Sequence, residues 1–403
     1  MLSLDEALAR LLAAAVPLGD TEDVPTQAAG GRVLARAVPA RVDVPPRDNS
    51  QMDGYAVRCA DVARVPVCLP VALRVAAGQA AGVLAPGAAA RIFTGAVLPA
   101  GADAVVMQEA TRAEGDSVVV LEAPASGQWI RRRGSDLAAG SEALAAGIAL
   151  RAQHLGIAAS AGAARLTVTR RLRVALFSTG DELVMPGEEP LHDDGRGRIY
   201  NSNRYFLSGL LQALGCTVLD LGIVPDSLQA TRAALLAAAQ DADCILSSGG
   251  VSVGEEDHVK AALQSLGRLD LWQIAIKPGK PLAFGNVQEV PFIGLPGNPV
   301  SAFVTFLVLV RPFLLRRMGV HAVAPRAQQL PARFARAADG QRREFLRVGI
   351  SPDGGLEAFA SQNSALLSSV AWADGLADIP AGIAVERGQL LRFLPFSELT
   401  GPA

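Results

Sequence analysis

From residue 172 onward, hydrophobic and polar positions fall in blocks rather than in simple alternation. Leu172–Phe177, apolar but for Arg173, reads as a buried strand. Residues 199–214 carry a helical period, Cys216–Val224 reads as a strand, 227–240 as an Ala-rich helix and 242–247 as a further strand. Val259, Ala262, Leu263 and Leu266 then share one helical face over 257–266. Strands at 269–276, 282–285 and 290–295 precede a long helix at about 299–317. Continuous apolar strands interleaved with helices predict a doubly wound, mostly parallel sheet covered on both faces.

Outside this block the pattern changes. Ser3-x-x-Glu6 is a capping box, with Leu4, Leu8, Leu11 and Leu12 on one helical face behind it. Residues 47–135 are β in character, with Val-, Leu- and Ile-rich runs at 65–75, 104–107 and 117–121 broken by Gly and Pro. Residues 141–170 return to Ala- and Leu-rich text that reads as helical, so 47–135 is expected to be an insertion into a helical and extended frame. Past 320, short alternating strands such as Glu344–Ile350 predict a small all-β domain. The expected units are 1–46 with 136–170, the inserted β-rich domain 47–135, the α/β domain 171–322 and a β-barrel over 323–403.

With 403 residues, half of them hydrophobic and only 19% charged, the chain has material for several cores. A net charge of −2 gives no general attraction to nucleic acid or to an anionic membrane. The first twelve residues are acidic before they are basic and lack a small-residue cleavage site, which argues against a signal peptide. The longest apolar runs, such as Ala302–Val310, are too short to span a bilayer. Cys59, Cys68, Cys216 and Cys244 form no C-x-x-C pair, and the four histidines are dispersed, so a disulfide framework or zinc site does not follow. A cytoplasmic protein is expected.

The candidate chemistry lies in the turns after the strands. These are Ser178-Thr179-Gly180-Asp181-Glu182, Pro225-Asp226, Ser247 to Asp257, Lys277-Pro278-Gly279-Lys280 and Pro296-Gly297-Asn298-Pro299. In an open α/β sheet such turns share the carboxyl edge, where ligands bind. Ser248-Gly249-Gly250 lets backbone approach a ligand, and helix-start N–H groups suit an anion. Glu255, Glu256 and Asp257 would repel that anion unless a divalent cation, Mg²⁺ above all, sits between them; alternatively they cap the helix. Carboxylates, lysines and glycine loops together fit metal-assisted handling of a phosphate or another tetrahedral oxyanion. No P-loop or G-x-G-x-x-G motif is present. Asp53-Gly54, taken alone, reads as a hairpin turn, and Arg131-Arg132-Arg133 as either a solvated face or an oxyanion clamp.

Seven stretches in order carry a resemblance: NSQMDGYAV (49–57), RIFTGA (91–96), IRRRGSD (130–136), STGDEL (178–183), SSGGVSVGEEDHVK (247–260), KPGKP (277–281) and LPGNPVSAF (295–303). Together they closely resemble the MoeA family, the molybdopterin molybdenumtransferases, which includes the E domain of gephyrin. The resemblance implies a homodimer with a composite active site, and Mg²⁺-dependent insertion of molybdate into adenylylated molybdopterin with release of AMP. It implies Glu182, Asp226 and Asp257 as the acidic set around magnesium and pyrophosphate, and Lys277 and Lys280 as phosphate- and oxyanion-binding lysines, with Pro281 and Ser301 alongside. Asp53, Thr94 and Asp136 are implied to reach the site from the other subunit. Ser178, Thr179, Gly180, Ser248, Gly249, Gly250, Gly297 and Asn298 are expected to form the pterin-nucleotide loops, and Arg347 and Ser364 to close the oxyanion pocket. Gln273, four residues before Lys277, stands where some relatives carry a further lysine. The expected partners are the pterin nucleotide and molybdate, together with the enzyme that adenylylates the pterin. The competing readings are that adenylylation step itself, which the extra domains argue against, and a gephyrin-like scaffold.

Overall fold

The computed structural model describes residues 1–187, 197–251, 258–338 and 340–401. The acidic run Glu255-Glu256-Asp257 lies outside the described residues. Helix α1 spans Leu4–Ala14, and its capping box forms as expected: the Glu6 amide donates to Ser3 Oγ, and the Ser3 amide donates to the Glu6 carboxylate at 2.8 Å. Leu4, Ala7 and Leu11 are buried, which follows from their shared face.

The α/β unit runs β1 (Arg173–Thr179), α2 (Ser202–Ala213), β2 (Thr217–Val224), α3 (Leu228–Asp241), β3 (Cys244–Ser248) and α4 (His258–Leu266). It continues with β4 (Leu269–Gln273), β5 (Ile276–Lys277), β6 (Pro281–Val287), β7 (Val290–Leu295) and α5 (Pro299–Arg317), the last with a π-helical turn at Phe306–Val310. The sheet order is β2-β1-β3-β7-β6-β4. The first four strands are parallel, while β6 is antiparallel to both of its neighbours. Successive residues face opposite sides. Val174 and Leu176 pack toward α1, α2 and α5, and Ala175 and Phe177 pack toward α3 and α4. α1 therefore contributes to the α/β core. α5 is long and apolar enough to cross a membrane, unlike any shorter apolar run within it, but it lies buried in this core.

The expected strand at 269–276 divides in two. β4 ends at Gln273, and β5 leaves the α/β sheet to pair with β8 (Arg343–Ile350) in the C-terminal unit, Lys277 opposite Glu344. From β8 that unit continues through strands Gly375–Ile379, Leu390–Pro395 and Gln328–Pro331. The strand Leu356–Ala358 also pairs with β8, and Ala332 bridges Leu356, so the path closes on itself.

Toward the N-terminus, Thr21–Pro25 pairs with Arg165–Thr169 and Val38–Pro39 with Glu142–Leu144, and Val44 bridges Leu137. The chain thus leaves this frame near Val44 and returns at Leu137, and the segment between them holds a six-stranded sheet. The helical reading of 141–170 is corrected: only Ala152–Ser160 is helical. The flanking residues pair with partners more than a hundred residues away, and tertiary pairing overrides the local helix preference of Ala and Leu.

Candidate active site

Because β6 runs antiparallel, its first residue, Pro281, sits beside the last residue of β4. The turn into β6 therefore joins the carboxyl ends of the parallel strands along one edge. An open cavity of about 1150 Å³ lies there. Its wall includes Thr179, Gly180 and Glu182 after β1, Asp226 after β2, and Ser248, Gly249 and Gly250 after β3. Lys277, Lys280 and Pro281 line it before β6, and Gly297, Asn298 and Ser301 after β7.

The loops are fixed by contacts that the small residues permit. Gly180 has φ +142°, and a Cβ there would fall 2.5 Å from the Glu182 carboxylate, which folds back over it. The Asp226 amide reaches Asp181 Oδ1 at 3.4 Å, linking the first two loops. Gly249 and Gly250 both have positive φ, and a Cβ on Gly249 would stand 2.7 Å from the Thr179 carbonyl oxygen. Asn203, near the start of α2, donates through Nδ2 to Ser248 Oγ at 2.8 Å and to the Gly297 carbonyl at 2.7 Å. One side chain so ties three elements together. Asn201, its N-cap, accepts from the Arg204 amide and is almost fully buried. Neither asparagine stands out in the sequence, although an Asn-Ser-Asn cluster opening an apolar helical period is an N-cap signal.

The C-terminal unit completes the wall with Gln362, Asn363 and Ser364. The Val300 amide at the start of α5 donates to the Ser364 carbonyl at 3.0 Å. Arg347 is placed beneath this wall, fully buried, instead of on it. Its Nη2 donates to the Asn363 carbonyl at 3.2 Å and its Nε to Ser369 Oγ at 3.1 Å, while Gln362 pairs with its backbone in both directions. Burial, assisted by the neighbouring Arg336 charge, pushes the guanidinium pKa down to about 10. Ser178 is likewise buried behind the cavity, at the end of β1.

Lys277 is anchored from the same side, with Nζ 3.2 Å from Glu344 Oε1. Glu182 and Asp226 share the cavity, Asp257 lies outside the described residues, and no cluster of three metal-ligating side chains forms among the described residues. A magnesium ion retains waters and takes substrate phosphate oxygens, so two carboxylates on such a wall fit it.

Asp53, Thr94 and Asp136 do not line this cavity. Asp53 is not in a hairpin turn either, because the strands on each side of it, Asn49–Ser50 and Gly54–Val57, pair elsewhere. Its Oδ1 instead accepts the Thr94 amide at 2.7 Å and the Thr94 hydroxyl at 2.8 Å, and these bonds hold the carboxyl below its ordinary pKa. Arg132 and Arg133 are paired with Asp48 and Asp43, which accounts for two of the three adjacent arginines. Gln273 is exposed and not on the cavity wall.

The cavity and its domains have counterparts in known proteins. Residues 2–162 match the MoeA N-terminal region (domain I and II), 175–316 a probable molybdopterin binding domain, and 329–396 the MoeA C-terminal region (domain IV). A molybdopterin molybdenumtransferase of Haemophilus influenzae is 43% identical over 321 residues, covering 79% of this chain and 78% of that one. The chain belongs to the MoeA family. A second molybdopterin molybdenumtransferase, from Nostoc sp., is 40% identical over 378 residues, 90% of this chain and 86% of its own. The crystal structure of a MoeA protein from Pyrococcus horikoshii OT3 superimposes with a TM-score of 0.85 at 29% identity, over 98% of this chain and 100% of that one. In MoeA terms, all five strand-end turns on the wall lie within the molybdopterin-binding region, and Gln362–Ser364 come from domain IV.

Proposed function

We propose that the cavity at the sheet edge inserts molybdate into molybdopterin, the reaction of the family to which the chain belongs. The reading rests on one observation: a single cavity brings Lys277 and Lys280, carried on glycine-bearing turns, together with the carboxylates of Glu182 and Asp226. Molybdate is a tetrahedral dianion, and lysine ammonium groups with loop N–H donors are suitable hosts for it. The pterin enters as its adenylylated form, the product of a separate adenylylating enzyme, and the two glycines after Ser248 let the phosphates approach the backbone. Glu182, Asp226 and Asp257 would hold Mg²⁺, which when bound neutralises charge developing on the phosphoanhydride as AMP leaves. The pterin's own sulfurs bind the molybdenum, so the protein supplies no thiolate. This agrees with four free cysteines, none on the cavity wall. Unpaired thiols also suit a cytoplasmic location.

Asp53, Thr94 and Asp136 complete the site from the second subunit of a homodimer, a role supported by their position away from the cavity of their own chain. The deciding assay incubates the purified protein with adenylylated pterin, Mg²⁺ and molybdate and measures AMP. Glu182→Ala and Asp257→Ala are each expected to abolish AMP release and metal insertion while leaving the folded state intact. Undiminished turnover in either variant refutes the metal-site assignment.

A further inference from the structure

Glu344 is 4% exposed, yet it carries a carboxylate. Burying a charge is unfavourable unless it is paired and hydrogen-bonded. Here Arg336 donates to it twice, through Nε at 2.8 Å and Nη2 at 3.2 Å. Burial pushes the Glu344 carboxyl up, but the hydrogen bonds from Arg336 and Lys277 outweigh it and hold it below its ordinary value. The forked arginine alone matches the carboxylate's charge. The second cation, Lys277 with its Nζ 3.2 Å from Oε1, is beyond what neutralisation of Glu344 requires.

The backbone makes this second contact deliberate in geometry. β5 leaves the α/β sheet after β4 and pairs with β8 in a register that sets Lys277 directly opposite Glu344. Lys277 also lines the cavity, whereas Glu344 does not. One N–H donor of the ammonium is thus committed to a carboxylate buried in the C-terminal unit, and the amine is held at the wall. A lysine side chain otherwise loses substantial rotamer freedom when it engages a ligand.

We propose that Glu344 is a positioning residue for oxyanion binding, which acts by pre-setting the Lys277 ammonium at the cavity wall. The proposal rests on the reading of the cavity as an oxyanion site. It also assigns the C-terminal unit a second function besides closing the wall: it fixes a charge that the α/β unit carries on a two-residue strand.

The test is a double-mutant cycle on the full-length protein, with molybdate alone as the probe in equilibrium calorimetry. Glu344→Gln keeps the shape and removes the charge, and it is expected to weaken molybdate binding by about tenfold, the scale of one pre-ordered side chain. Lys277→Met weakens binding as well. In the Lys277→Met background, Glu344→Gln is expected to add less than about twofold, because the group it acts through is gone. Losses that add in full in the double variant, or an unchanged affinity in Glu344→Gln, overturn the proposal, since a merely structural glutamate would act equally in both backgrounds. If Glu344→Gln does not fold, Glu344→Asp takes its place in the cycle, keeping the charge beside Arg336 but withdrawing it from Lys277, with the same expected pattern. A wild-type protein that takes up no molybdate instead refutes the oxyanion reading itself, and the positioning role with it.

Discussion

The backbone of the site is tightly constrained at Gly279, and Gly279→Ala tests it. Its φ of +106° lies outside the left-handed helical well that L-residues tolerate, a strain of about 1–3 kcal/mol for a side chain. A Cβ there would sit 2.4 Å from Thr305 Oγ1 and 3.4 Å from the Ser301 carbonyl oxygen. Thr305 is fully buried on α5 and β-branched, so it has little room to turn away, and overpacking adds about 1–3 kcal/mol. The expected loss is therefore about 2–6 kcal/mol, which lowers the unfolding temperature of a domain this size by about 5–20 °C in differential scanning calorimetry. Gly297 is the internal control: it lies on the same cavity wall, but a Cβ there meets nothing within 4 Å, so Gly297→Ala is expected to unfold with the wild type. Adding Thr305→Ala to Gly279→Ala should recover the overpacking part and leave the φ strain. A Gly279→Ala protein as stable as Gly297→Ala refutes the reasoning.

Two further outcomes can be checked independently. Asp243 is held by both Arg170 terminal nitrogens at 2.9 Å and by the Arg173 amide at 2.7 Å. Burial raises its pKa, but these partners outweigh that and lower it. Its contribution is therefore present above the unfolded pKa of about 3.8 and lost as pH falls through the lower folded value. Asp243→Asn is expected to reduce stability by about 2 kcal/mol at pH 7 and to match the wild type at strongly acid pH in urea titrations, and a deficit that persists unchanged into acid contradicts the ion-pair account. For the proposed composite site of a homodimer, Asp53→Ala and Glu182→Ala are each expected to be inactive alone. Co-expressed, they should recover about a quarter of wild-type AMP release, because random pairing makes half the dimers mixed and each mixed dimer has one intact site. Zero recovery with mixed dimers present contradicts a shared site.

The sheet edge was legible in the sequence because its cause is local. Each apolar run is long enough only for a strand, each is followed by Gly, Ser, Asp or Lys, and in a parallel sheet those turns share one edge by topology. Glu182, Asp226, Lys277 and Lys280 could be assigned to a common cavity for that reason, whereas Ser301 came only from the family resemblance. Other features had no local cause. The Ala- and Leu-rich text at 141–150 carries no sign that its partner is Val38–Pro39, and nothing in Ile276–Lys277 announces that β5 will cross to another domain.

By itself, then, the chain determined the interleaved strands and helices, the capping box at Ser3 and the chemistry of the turns, all of which depend on residues near one another in sequence. The tertiary structure alone decided that Arg347 lies beneath the wall, that Asn203 joins three elements and that Glu344 meets Lys277. Those outcomes depend on which distant groups share a low-dielectric interior, where a polar or charged group persists only with hydrogen-bonding or ionic partners.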